Sequence, residues 1–119
     1  MSIAKLTARK YPYSEIEPIV LALLKHLVVA CDPEEVYLIG SAARGEFTDF
    51  SDLDFVIVAK DDSSVRAARE SVHIGRPHLD VAVDLIVLDR DSFAARADLG
   101  GIAFEAKHHG KSLYRKGST

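Results

Sequence analysis

The chain has 119 residues, a net charge of −3, 48% hydrophobic and 28% charged residues. That size and balance predict one soluble globular domain over residues 1–119 with a real core, and exclude a disordered or fibrous chain. A negative chain without a clustered positive face is not built to grip a phosphate backbone, so nucleic acid is not an expected partner.

Along the chain, Ile16, Ile19, Val20, Leu23, Leu24, Leu27 and Cys31 recur at helical spacing and predict a first helix burying one stripe. Ser14 and Glu17 resemble a capping box, Pro18 is tolerable if it falls in the first turn, and Asp32-Pro33 ends the helix. The apolar stretch 19–31 is broken by Lys25 and His26 and falls short of the roughly 20 residues that a membrane span needs. It reads as a core helix, and no membrane association is expected. The single Cys31 cannot pair within the chain and no secretory leader is visible, so a reducing cytoplasm is the expected setting.

Residues 36–40, VYLIG, read as a buried strand ending in glycine, and residues 53–60, LDFVIVAK, as a second. Between them, residues 41–46 suit about one turn of helix and residues 47–51 a turn. Ser63 or Ser64 can cap a helix running to about His73, with Val65, Ala68 and Val72 inward; Gly75-Arg76-Pro77 breaks it. Residues 79–88, LDVAVDLIVL, predict a third strand. Asp91 can cap a last helical region interrupted at Gly100-Gly101 and ended by Gly110, and KSLYRKGST predicts a short strand and a frayed tail. The fold class is α/β (α+β): a small mixed β-sheet with helices packed against it.

The chemistry concentrates where the first two strands meet. Residues two apart on a strand share a side, so Asp52 and Asp54 present their carboxylates together. Like charges raise each other's pKa, and Leu53, Phe55 and Val56 add desolvation; a divalent cation relieves both, and hard oxygen donors suit Mg²⁺. Gly40 lets backbone approach a ligand closely, Ser41 offers a hydroxyl, and a helix starting there aims free N–H groups outward, which makes an anion cradle facing a metal. Asp84, flanked by Val83, Leu85 and Ile86, is an acid in what reads as a central apolar strand and calls for a partner there. Asp80 shares its parity and is the rival third ligand. Arg44 can reach phosphate or pair with Glu46 or Asp49. Glu105 and Lys107 read as helix decoration, and His78 with Asp80 lacks the further ligands of a zinc site.

The segment GSAARGEFTDFSDLDFVIV resembles the nucleotidyltransferase signature of the DNA polymerase β-like superfamily, and VDLIVL resembles its third catalytic strand, so the motif core covers about residues 36–88. The compact chain is similar to the minimal nucleotidyltransferases in particular. The resemblance implies a nucleotidyltransferase fold, Gly40 and Ser41 (with Arg44 a further candidate) on the triphosphate of ATP or another nucleoside triphosphate, and Asp52, Asp54 and Asp84 as catalytic carboxylates holding two Mg²⁺ ions. Phosphoryl transfer is mainly positioning and charge neutralisation, so such a set can move a nucleoside monophosphate and release pyrophosphate.

Only about 30 residues follow the third strand, too few for a separate acceptor domain on the usual scale, so the acceptor surface is expected from elsewhere. The resemblance implies a small helical protein of the HEPN type, in a toxin and antitoxin pair with this chain as antitoxin, and AMP on one of its side-chain hydroxyls. The competing readings are transfer to a small molecule such as an aminoglycoside, with a homodimer completing the pocket, and a non-catalytic antitoxin that neutralises by contact.

Overall fold

A computed structural model describes residues 9–117; the last two residues of the expected frayed tail, Ser118 and Thr119, lie outside them. Helix α1 (Tyr13–Cys31) starts directly after Pro12, whose ring holds φ at −66° and whose carbonyl accepts the Glu15 N–H at 3.0 Å. Ser14 is thus already inside the helix, and the expected box with Glu17 does not form. Pro18 falls in the second turn rather than the first. The N–H it lacks would have bonded the Ser14 carbonyl, and both residues lie on the exposed side, where water can take that carbonyl. The buried stripe is Ile16, Val20, Leu23 and Leu27. Ile19 departs from the expectation and is 37% exposed, because it faces a surface hollow and not the sheet. Asp32 closes the helix in the left-handed region at φ 45°, its N–H donating to the Val28 carbonyl at 3.1 Å.

Next come β1 (Glu35–Ile39), the single turn α2 (Gly40–Ala43), β2 (Leu53–Ala59), α3 (Asp62–Ser71), β3 (Val83–Asp89), α4 (Arg90–Arg96), α5 (Gly101–His109) and β4 (Lys111–Arg115). The sheet order is β3-β2-β1-β4; β1 runs antiparallel to both its neighbours, and β2 and β3 run parallel, joined through α3. Strand alternation splits the core. Val36, Leu38, Leu53, Phe55 and Ile57 meet the α1 stripe and the inward face of α3 on one side. Tyr37, Ile39, Val56 and Val58 meet Phe93 of α4 and Ala103 and Ala106 of α5 on the other, with the Tyr37 and Phe93 rings stacked at 5.4 Å. Two covered faces explain why β1 and β2 read as unbroken apolar runs.

Two expectations shift at strand-to-helix junctions, and a third at the start of β3. The cap of α3 is Asp61, which accepts the Ser64 N–H at 2.8 Å, and not Ser63 or Ser64. The cap of α4 is Asp89, which accepts the Ser92 N–H at 2.8 Å and the Ser92 hydroxyl at 2.7 Å, and not Asp91. In each case the strand passes almost directly into the helix, so the capping residue comes earlier than a loop would place it. The third strand begins at Val83, not at residue 79, because the parallel ladder can start only where β2 does, at the Leu53 and Val83 pair. It is also an edge strand and not central, which leaves Asp84 exposed.

Among the described residues no helix is long and apolar enough to cross a membrane. The capping geometry makes a direct prediction. Asp89→Ala lowers the thermal unfolding midpoint, followed by circular dichroism, while Asp91→Ala leaves it in place.

Candidate active site

At the end of β1 the chain must turn away from the sheet edge in one residue. Gly40 does this at φ +76°, a conformation L side chains rarely adopt, and it lies so close to Asp54 that a Cβ there would stand 2.7 Å from the Asp54 Oδ2. The register explains the closeness, since Ile39 pairs with Asp54 across the β1 and β2 ladder. After Gly40 the turn of α2 is closed by Arg44 N–H on the Gly40 and Ser41 carbonyls and by Glu46 N–H on the Ser41 carbonyl at 2.9 Å. The Ser41 hydroxyl makes no hydrogen bond to another described side chain or backbone group.

The segment leading into β2 is pinned at both ends. Tyr11 N–H donates to the Phe47 carbonyl at 2.7 Å, and the Tyr11 hydroxyl donates to Asp49 at 2.8 Å. A tight turn follows, in which Thr48 N–H donates to the Ser51 hydroxyl and Ser51 N–H to the Thr48 carbonyl. This delivers Asp52, exposed, immediately before the first strand residue.

Asp54 and Asp84 are register partners on adjacent parallel strands. By alternation they share the face of Val56 and Ile86, the face covered by α5. Burial pushes the Asp54 carboxyl up to about 6, helped by the Asp84 carboxyl beside it and by the negative charges of Asp52 and Glu105. Asp54 is only partly buried and Asp52 and Asp84 are exposed, so the acids form a rim around one partly buried member, and Asp84 is not the acid of a central apolar strand that the sequence suggests.

The donor chemistry of this rim fits a divalent cation: hard oxygens, like charges side by side and one proton affinity raised by burial and by those charges. No three Asp, Glu, His or Cys side chains among the described residues close into a ready ligand set. Asp54 and Asp84 form the pair, and Asp52 adds charge beside it.

Of the other candidates, Arg44 stands next to the site with its Nε donating to Glu46 at 2.9 Å and its Nη1 3.8 Å from Glu105. Both pairs are half-exposed and so weakly held. Asp80 is not brought in: it sits in the bend before β3 and lines the hollow beside α1. Lys107 is turned away to Asp98, 3.6 Å off. Glu105 is the residue the linear reading missed. With Arg44, Ala43 and His109 it lines a second hollow beside α2. The available signal was Ala103 and Ala106, small residues that let α5 approach the sheet and bring Glu105 over the strand ends.

Compared with known proteins, the chain matches the Nucleotidyltransferase domain family over residues 14–109. No curated protein matches it. Among solved structures it resembles the crystal structure of a candidate nucleotidyltransferase from Sulfolobus solfataricus, with a TM-score of 0.55, 24% identity and 87% of each chain covered. At that identity the likeness establishes the fold.

Two outcomes follow from this geometry. Gly40→Ala loses stability and displaces the Asp54 carboxylate, whereas Gly45→Ala, equally positive in φ but with nothing within 4 Å, suffers the backbone strain alone; denaturant unfolding of both separates the two effects. The second concerns pH. A carboxyl at about 6 when folded and 3.8 when unfolded keeps its proton longer in the folded state, so stability falls as pH rises through that window and levels off above it. Asp54→Asn removes the fall, leaving the variant more stable than the parent at about pH 8 by on the order of 1 kcal/mol after allowing for solvent screening, and level with it at about pH 4, in thermal melts without divalent ions.

Proposed function

The chain belongs to the nucleotidyltransferase domain family and is an enzyme of that class, and we propose that it moves AMP from ATP onto a hydroxyl of a partner protein. The observation that carries the reading is the pairing of Asp54 with Asp84 directly beside the side-chain-free Gly40, which brings the carboxylates against the backbone of the turn that opens α2. The Gly40 and Ser41 turn receives the triphosphate oxygens. Arg44 exchanges its weak contacts with Glu46 and Glu105 for phosphate, a better partner for a guanidinium. Asp54, Asp84 and Asp52 would hold Mg²⁺, which when bound neutralises the acids and draws charge from the phosphates.

Asp84, exposed on the edge strand, faces outward to the acceptor and takes the hydroxyl proton. The acceptor oxygen bonds to the α-phosphorus as the bond to the bridging oxygen breaks, and pyrophosphate leaves. An acid rim on a sheet edge supports an acceptor presented by another macromolecule, since such a rim does not enclose a small substrate. The likeness of the motif to minimal nucleotidyltransferases supports a small helical HEPN-type partner, with this chain as antitoxin.

Incubating the chain with a co-purified helical partner, ATP and Mg²⁺ adds AMP mass to the partner. Asp84→Asn keeps ATP binding by calorimetry while transfer drops by about 10² or more, and Asp54→Asn loses the Mg²⁺-dependent part of ATP binding. Purified chain that instead adenylylates a small hydroxylated compound at an ordinary turnover, roughly 1 to 10³ per second, replaces the protein acceptor with a small one.

A further inference from the structure

The hollow beside α1 has a volume of about 480 Å³, within the usual range for a binding pocket. Its floor and walls are apolar: Ile16, Ile19, Phe47, Leu79, Val81 and the ring of Tyr11. The exposure of Ile19, at 37% the most exposed member of the expected α1 stripe, is explained by its opening onto this space. The rim is acidic, with Glu15, Asp49 and Asp80, against which His78 is the one basic group among the lining residues.

One cation already tests what the rim accepts. The Arg9 guanidinium lies 4.6 Å over the Tyr11 ring and donates to both Glu15 oxygens, at 2.8 and 3.0 Å. Asp80 has no ion-pair or hydrogen-bond partner among the described residues, so the acidic character is only partly answered from within the chain.

Position ties this hollow to the reaction. Its walls at Phe47 to Asp49 and at His78 to Val81 are the segments that run directly into β2 and β3, and so into Asp52 and Asp84. In the chain between Asp49 of the wall and Asp52 comes Phe50, 81% exposed on the turn held by Thr48 and Ser51.

We propose that this hollow docks a basic segment of the acceptor protein, an arginine or lysine whose aliphatic stem lies on the apolar floor and whose head sits at the acidic rim. Phe50 then bridges toward the hydroxyl at the carboxylates. The inference rests on the reading of the acceptor as a protein. Long basic side chains suit such a site because the stem is apolar and the head cationic. Charge complementarity selects the partner and sets its register, which a transferase needs to bring one hydroxyl to one place.

The test uses a short fluorescent peptide alternating arginine with leucine, and a control in which glutamine replaces arginine, titrated into the full chain by anisotropy. The arginine peptide binds, weakens with salt, and loses about tenfold affinity in Asp80→Asn and in Ile19→Gln, both of which retain the parent's melting temperature and ATP affinity. Equal binding of the glutamine peptide, or arginine-peptide affinity unchanged in both variants, overturns the proposal. Spermine that displaces the arginine peptide and binds more tightly than it also overturns it, in favour of a small-amine pocket. The two readings fail separately: an absent response to ATP sinks the transferase reading, while peptide affinity in Asp80→Asn decides the docking site.

Discussion

The parallel pairing of β2 with β3 leaves Asp54 no choice of neighbour: its register partner is Asp84, and two carboxylates are held side by side whatever their charge. Neither can retreat, because each sits on a strand whose other residues are locked into the apolar clusters on either face. Burial, and after it the charges of Asp84, Asp52 and Glu105, raise the proton affinity of Asp54, a cost that the packing of Phe55, Ile57 and Val56 around it offsets. A site that stores repulsion in this way favours positive charge brought from outside, and the rest of the local structure is consistent with that demand.

Gly40 belongs to the same constraint. Antiparallel pairing of β1 with β2 brings the end of β1 against Asp54, and the only residue that fits there without displacing the carboxylate is one with no side chain. The chain then turns through α2 and leaves Arg44 between two glutamates, Glu46 and Glu105. Acids therefore surround the α2 turn as well as the strand pair. With a net charge of −3 overall, the chain would meet a triphosphate against its own field unless cations accompanied it.

The two faces of the sheet carry different features. The α5 face carries the carboxylates, while the α1 face carries the apolar hollow beside α1, and both open at the end where β2 and β3 begin. The loop from Phe47 to Asp52 connects them, fastened by backbone and hydroxyl of the same residue, Tyr11. Tyr11 is far from this loop in sequence, so its role is visible only once α1 is packed.

Local chemistry made much of the molecule legible from the sequence. Apolar periodicity located α1, the inward residues of α3 and the runs of β1 and β2, because burial repeats with backbone geometry. The family signature around Gly40, Ser41, Asp52 and Asp54 was legible for a similar reason: a turn that needs glycine and acids that share a strand side are short-range facts. What the tertiary structure decided were matters of register and neighbours. It set β3 at the edge and trimmed it to Val83, which put Asp84 beside Asp54 and sent Asp80 to the hollow. It brought Glu105 to the site from α5, opened Ile19 to a hollow, and moved the caps to Asp61 and Asp89. None of these could be read along the chain, because a hydrogen-bonded ladder and a packed helix join residues whose separation in sequence says nothing about their distance in space.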